Sequence, residues 1–258
     1  MVLARRFWWV AVVGIPFGLG VLGLAGVSVA APQELIADGD FSACATSKVL
    51  RQDNKGPDWC ETRKDGKEGR KLLMLSKKDV AGNATPKAML KAHPDLNTYL
   101  SQRFAAPQKD DFSIQYDICV REILPDDNRS AFCMVGKDSD KKAGPNSTGG
   151  ERFVFLGFEN APEKGKINLF ARQGKTPWEQ KTIVAKGLDL NKWYTIELAI
   201  YPSAAAYEVS VKGITQPVEL DAFSPSGKAP KRLTHISFAS WNDGAGTFYI
   251  DNVIARAL

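Results

Sequence analysis

Histidine is scarce in this sequence, with only His93 and His235 among 258 residues. No His-x-x-x-His metal motif is therefore possible, and the Gly-x-Ser-x-Gly and phosphate-loop patterns are missing as well. A histidine without a partner of catalytic spacing is more often structural than catalytic. We therefore predict no catalytic residue from these motifs.

A strong charge of one sign is also missing. The chain has 34 Lys and Arg against 29 Asp and Glu, a net charge of +5, and removing Arg5 and Arg6 lowers this to +3. The densest basic stretch, residues 63–71, also contains Asp65 and Glu68. Such interspersed charge is typical of a solvated surface, so we predict no nucleic-acid partner.

Long apolar runs are missing too, except at the N-terminus. Residues 7–29 carry no charge and follow Arg5 and Arg6 directly, and small residues precede a cleavage point after Ala30. This pattern predicts a signal peptide over residues 1–30.

The mature domain would then comprise residues 31–258 and would be secreted or periplasmic, without membrane contact after signal removal. The alternative is an uncleaved N-terminal membrane anchor, because the run is about long enough to cross a bilayer. Pro16 and five glycines within the run disfavour a permanent helix.

Four cysteines lie in the mature part, and an even number in an oxidising compartment indicates two disulfides. Three pairings are possible. We favour Cys119 with Cys133, on strands that flank the turn at 125–128, which leaves Cys44 with Cys60. Zinc binding is the weaker interpretation, because the C-x-x-C spacing is missing.

Residues 112–123 alternate apolar and polar side chains, which predicts a half-buried antiparallel strand. Further short strands follow, separated by Gly, Pro, Asn and Asp clusters such as 144–150 and 242–246. This punctuation is typical of an all-β sandwich or barrel. A short helix is expected near 86–92, within an insertion and ending before Pro94.

The order of strand signatures resembles the concanavalin A-like lectin/glucanase superfamily, the jelly-roll sandwich shared with laminin-G-like domains. The resemblance implies a two-sheet antiparallel jelly roll over the mature chain. It does not imply an activity, because the same motifs recur in lectins, lyases, hydrolases and binding modules. The stretches that carry it are 153–158, 166–172, 188–198, 207–213 and 248–253.

The resembled binding modules often carry a structural calcium ion where the first and last strands meet. Asp38 or Asp40 near Asp251 would supply carboxylate ligands there, completed by loop carbonyl groups, as calcium prefers oxygen ligands. The alternative is that Asp38 and Asp40 shape a turn through side-chain to backbone hydrogen bonds, with Asp251 at a strand end.

Trp59, Trp178 and Trp241 lie in loop-like or strand-end contexts, where an exposed ring can stack on the apolar face of a sugar. Trp241 is the favoured centre, because Asn242 and Asp243 add an amide and a carboxylate for sugar hydroxyl groups. The alternative is that Trp241 only covers the end of the sandwich.

The Glu-x-Asp-x-x-Glu strand of the superfamily's hydrolases is missing, as are the strand motifs of its alginate lyases. The sequence therefore favours an exported, non-catalytic carbohydrate-binding or surface-interaction domain, with a glycan or cell-surface partner. One alternative is a polysaccharide-acting hydrolase or lyase whose acids, such as Asp117, Glu151 or Glu197, converge from separate strands. The other is an envelope structural or assembly domain.

Overall fold

The computed structural model describes residues 33–43, 59, 72–124, 128–137, 151–175, 180–241 and 244–258. Within these ranges the chain forms thirteen β-strands and no helix. The strands are β1 Leu73–Ser76, β2 Lys87–Leu90, β3 Thr98–Gln108, β4 Phe112–Ile123, β5 Arg129–Lys137, β6 Glu151–Asn160, β7 Lys166–Ala171, β8 Thr182–Asp189, β9 Trp193–Tyr201, β10 Ala206–Val211, β11 Val218–Asp221, β12 Leu233–Ser240 and β13 Gly246–Ala257.

The strands form two antiparallel sheets. The seven-stranded sheet has the order β1-β2-β13-β4-β9-β10-β11, and the six-stranded sheet has the order β3-β12-β5-β6-β7-β8. Apolar side chains of both sheets meet in one main core. The predicted all-β, two-sheet antiparallel sandwich is confirmed.

Strand β4 shows why these residues form this structure. Ile114, Tyr116 and Ile118 are buried in the main core, while Ser113 and Asp117 on the opposite face are half-exposed. Successive side chains of a strand point to opposite faces, so a period of two buries one set against the second sheet. The predicted alternation of this segment is confirmed.

The predicted helix near 86–92 is wrong, because this segment contains strand β2. Lys87–Leu90 pairs with β1 on one side and with β13 on the other. The alternate residues Ala88 and Leu90 belong to the main core. So short a segment gains little from helical hydrogen bonds of its own. Two neighbouring strands instead satisfy its backbone and bury its apolar face.

The predicted pairing of Cys119 with Cys133 is also wrong. Both are free, buried thiols. Cys119 lies on β4 beneath Val80, whereas Cys133 lies on β5 inside the main core. The two strands follow each other in sequence but belong to different sheets, so their residues do not face each other across a ladder. Cys44 and Cys60 lie outside the described residues.

The N-terminal segment runs along the last strand. Leu35 N–H donates to the Ala255 carbonyl at 2.8 Å, and Val253 N–H donates to the Gly39 carbonyl at 2.9 Å. A Cβ atom at Gly39 would lie 1.8 Å from the Val253 oxygen, so only glycine allows this approach. Across the ranges given above, no helix has the length and apolar character needed to cross a membrane.

Candidate functional site

A second apolar cluster lies on the outer face of the six-stranded sheet, on the side of the strands opposite the main core. Its large members are aromatic, and we call it the outer aromatic layer. It consists of Tyr99, Phe132, Met134, Phe155, Phe170, Phe223 and Ala239, with Ile183 and Trp241 packed against them.

Strand β5 shows how the layer arises. Ala131, Cys133 and Val135 point into the main core, while the intervening Phe132 and Met134 point outward into the layer. Because the segment is apolar on both faces, it is buried on both faces, as a continuous apolar run predicts. The layer therefore rests on a rigid sheet.

Two glycines allow the aromatic rings to lie close to the backbone. A Cβ atom at Gly157 would be 2.6 Å from Cζ of Phe170 and 2.8 Å from Cδ1 of Phe132. One at Gly244 would be 2.8 Å from Cε2 of Phe132. Any larger residue at these positions would displace the rings.

Trp241 lies at the edge of the layer, directly after β12, and its side chain is half-buried. Its ring centroid is 4.3 Å from that of Phe132 and 5.9 Å from that of Phe155. The indole Nε1 is buried and has no hydrogen-bond partner among the described residues. A fixed, half-buried aromatic ring is a suitable platform for a ring-shaped ligand with an apolar face.

Two arginines stack on the layer. The guanidinium carbon of Arg152 lies 5.4 Å from the Trp241 ring centroid and 5.5 Å from that of Phe155. Arg172 lies 4.6 Å from the Phe223 ring centroid. The sequence interpretation missed both arginines, although an arginine next to an apolar strand segment, as in Arg152-Phe153-Val154, was a visible signal.

The electrostatics single out Arg152. Burial lowers the pKa of its guanidinium group, and Tyr99 opposes this shift. None of the ion pairs between described residues involves Arg152. Glu159, an acid on the same strand, is instead paired with Lys181. Arg152 is thus a half-buried cation without a carboxylate partner in the described part of the chain.

The acids considered for catalysis do not all converge. Glu151 lies on β6 of the six-stranded sheet, while Asp117 and Glu197 lie on β4 and β9 of the other. Asp117 is opposite Thr195, so Glu197 is its diagonal neighbour on the same outer face. Thr195 Oγ1 donates to Asp117 Oδ1 at 2.6 Å, and Lys212 Nζ lies 3.3 Å from Glu197 Oε1.

Trp59 does not present its ring to solvent, which corrects the expectation of an exposed platform. Its side chain is 1% exposed and belongs to the main core. Its ring centroid lies 5.2 Å from that of Phe41, and its Nε1 donates to the Asp38 carbonyl at 2.9 Å. The bulky ring fills the space under the N-terminal segment. Trp178, Asn242 and Asp243 lie outside the described residues.

Asp38 and Asp40 shape a turn, as the alternative interpretation predicted. Oδ1 of Asp38 accepts the Ala43 N–H at 2.8 Å, and Oδ1 of Asp40 accepts the Ser42 N–H at 3.1 Å. The hydrogen bond from the Ser42 backbone lowers the pKa of Asp40. Both aspartates line a cleft of about 300 Å³ along the last strand.

The third predicted calcium ligand, Asp251, is directed elsewhere. It is buried, and Oδ2 accepts hydrogen bonds from Asn83 Nδ2 at 2.8 Å and from Thr85 Oγ1 at 2.7 Å. The cleft that contains Asp38 does not include Asp251. Among the described residues, no three His, Cys, Asp or Glu side chains are grouped to hold a metal ion. The three predicted ligands thus do not fit one site, and calcium binding stays a prediction.

A buried ammonium group lies on the same side of β13 as the Asp251 carboxylate. Lys87 Nζ donates to the Lys78 carbonyl at 3.1 Å and also to the Thr85 carbonyl. Burial lowers the pKa of Lys87, while the charges of Asp251 and Asp79 oppose this shift. The negative charge of Asp251 is therefore compensated by a cation of the protein itself.

The sequence matches no protein-family model and no curated protein. Among solved structures, the chain is similar to a conserved carbohydrate esterase from the Shiga toxin-encoding bacteriophage phi24B, with 14% identity and a TM-score of 0.50, covering 81% of this chain and 96% of that one. It is also similar to the cellulose-induced protein Cip1, with 10% identity and a TM-score of 0.48, covering 85% and 96%.

A sialidase also matches, with 12% identity and a TM-score of 0.44 over 72% of this chain. The chain spans only 16% of that sialidase's length. At 14% identity the likeness to the esterase bears on the fold alone. No sequence match assigns a family.

Proposed function

We propose that this protein is an exported, non-catalytic carbohydrate-binding domain whose glycan site is centred on Trp241. The observation that carries the proposal is the half-buried indole ring, held on the outer aromatic layer beside Arg152. The partner would be a free glycan or a glycan on a cell surface.

The physical basis is the two-sided character of a sugar ring. Its C–H groups form an apolar face that stacks on an aromatic plane, while its hydroxyl groups need hydrogen-bond partners. Trp241 offers the aromatic plane, because its half-buried ring packs on Phe132, and the neighbouring Arg152 offers N–H donors to the hydroxyl groups. A platform that is already rigid loses little conformational entropy on binding.

The likeness in fold to a carbohydrate esterase supports the carbohydrate part of this proposal. Export is supported by the signal-peptide pattern of residues 1–30.

The test compares two half-buried tryptophans on opposite sheets. We expect Trp241→Ala to weaken binding to a ligand found on a broad glycan array by tenfold or more, through loss of stacking. Trp193→Ala is the matched control, since Trp193 lies on the seven-stranded sheet and its Nε1 donates to the Val80 carbonyl at 2.7 Å. The proposal is wrong if the folded protein binds no glycan, or if both substitutions weaken binding equally.

A polysaccharide hydrolase is the second candidate, favoured by the diagonal placement of Asp117 and Glu197. Diagonal neighbours on one face of a sheet are about 7–8 Å apart, which is close enough for two side-chain carboxyl groups to act on one glycosidic bond. Incubating the protein with its array ligand should release shorter products if this function holds, and Asp117→Asn should abolish them. Unchanged ligand would support the non-catalytic proposal.

A further inference from the structure

The guanidinium group of Arg152 is placed for a role that the fold itself does not require. It belongs to a residue of β6 and lies within 5.5 Å of the centroids of two rings of the outer aromatic layer, those of Trp241 and Phe155. Its side chain is half-buried, so part of it reaches solvent, while its Nε atom is buried without a partner among the described residues.

Such an environment is unfavourable for a cation. Removing a guanidinium group from water costs free energy that a paired carboxylate normally offsets. Cation–π contacts offset part of this free-energy cost, but they provide no hydrogen-bond acceptor for the N–H groups of the guanidinium group. The ion pairs of this sheet between described residues, Glu159 with Lys181 and Lys166 with Asp189, do not include Arg152. The missing anion is therefore to be supplied from outside the described residues.

We propose that the ligand is an acidic glycan, and that Arg152 binds a carboxylate on the sugar ring that stacks on Trp241. This inference rests on the proposed function, because it identifies the class of ligand for the same site. Arginine presents two parallel N–H groups that match the two oxygens of a carboxylate. A uronate is a sugar ring that carries such a group directly beside its apolar face.

Arg172 extends the same pattern. Its guanidinium carbon lies 5.8 Å from the Phe155 ring centroid, so two guanidinium groups lie close to Phe155. Two cations beside one aromatic ring favour a ligand with repeated negative charges. A polyuronate chain has one carboxylate on every residue.

The test uses ligand pairs that differ only in charge. Isothermal titration calorimetry would compare hexamers of galacturonate, glucuronate, mannuronate and guluronate with their methyl esters, which keep each sugar but remove its charge. We expect at least one acid form to bind, and its ester to bind tenfold more weakly or worse. A sulfated neutral hexamer distinguishes a sulfate from a carboxylate as the preferred anion.

Protein variants then test Arg152 itself. Arg152→Gln should weaken binding of the acid form tenfold or more and leave binding of the ester unchanged, so the acid-to-ester ratio collapses. Arg152→Lys keeps the positive charge but loses the planar guanidinium group. Its acid-to-ester affinity ratio should lie between those of the wild type and Arg152→Gln. Arg103→Gln is the matched control, because Arg103 is exposed on β3 of the same sheet, and it should change affinity less than twofold.

The outcomes separate this inference from the proposed function. Equal binding of acids and esters, or an acid-to-ester ratio unaffected by Arg152→Gln, would overturn the acidic ligand while leaving glycan binding intact. Binding of no glycan at all would overturn both. Tighter binding of the sulfated hexamer would show that the recognised group is not a carboxylate, although the ligand would still be anionic. If thermal unfolding shows that Arg152→Gln does not fold, the ratio measured with Arg152→Lys decides.

Discussion

The two outer faces of the sandwich differ in how deeply they are buried. Along β9 of the seven-stranded sheet, buried and half-exposed residues alternate from Trp193 to Tyr201. Along β12 of the six-stranded sheet, every residue from Leu233 to Ser240 is buried. One sheet therefore has a core face and a solvated face, whereas the other is covered on both faces.

The chemistry of the two faces differs accordingly. On the seven-stranded sheet, outward polar groups pair with each other, as Asp117 does with Thr195 and Glu197 with Lys212. On the six-stranded sheet, aromatic rings and arginines occupy the outward positions, and Arg152 has no carboxylate partner in the described part of the chain. Paired groups of this kind are typical of a solvated surface, whereas a cation on an aromatic layer is the feature on which the proposed binding site rests.

The largest expected effect tests whether the outer aromatic layer is a second core. Phe155 in the layer and Phe238 in the main core are both fully buried. Replacing either with alanine should lower the free energy of unfolding by about 3–5 kcal/mol, measured by urea denaturation. If Phe155→Ala costs less than about 1 kcal/mol, the layer is not a core, and the contrast between the faces fails.

An intermediate effect concerns the two buried thiols, Cys133 in the main core and Cys119 in the small cluster with Val80. Burial raises the pKa of Cys133 to about 12 and that of Cys119 to about 11. Above about pH 9 the thiols therefore stay protonated in the native state but lose their protons in the unfolded chain. The free energy of unfolding thus falls as the pH rises. From about pH 8 to about pH 10 each thiol should remove about 1.4 kcal/mol.

Urea denaturation at both pH values checks this loss. Cys133→Ala and Cys119→Ala should each reduce the alkaline loss by about that amount, whatever they do to absolute stability. If the variants lose as much stability between the two pH values as the wild type, the two cysteines are not buried, titrating thiols. That result would be expected if the two residues formed the disulfide that the sequence predicted, since a disulfide does not titrate.

The smallest effect is expected on the solvated face. Glu197 and Lys212 form an exposed ion pair, with side-chain exposures of 40% and 59%. Glu197→Gln should change the free energy of unfolding by about 0.5 kcal/mol or less. Glu159→Gln should cost more, because the Glu159 side chain is only 13% exposed beside Lys181. If both substitutions change the free energy of unfolding equally, ion pairs on the two outer faces do not differ in strength.

Much of the fold could be predicted from the sequence, but little of the candidate site. The alternation of β4 and the turn clusters predicted strands correctly, since period and turn chemistry are local properties. Trp241 was correctly placed at a strand end. The arginines were missed because Arg152 and Trp241 are 89 positions apart, and only the order of strands β12-β5-β6 brings them together.

The errors have the same origin. Cys119 and Cys133 flank a turn, which favours neighbouring strands, yet the chain crosses to the other sheet between β4 and β5. Segment 86–92 is too short for its sequence to decide between helix and strand, and pairing with β1 and β13 decided it. Trp59 lies in a polar stretch, and its burial depends on the distant Phe238, whose ring centroid is 6.3 Å away.

The sequence by itself determined the all-β class, the faces of individual strands and the small net charge, because each follows from composition and from the two-residue period of a strand. The tertiary structure alone decided which strands are neighbours, which aromatic rings are exposed and which cation has no acid beside it among the described residues. Those properties depend on contacts between residues far apart in the chain, and strand pairing is set by how two sheets bury their apolar faces together.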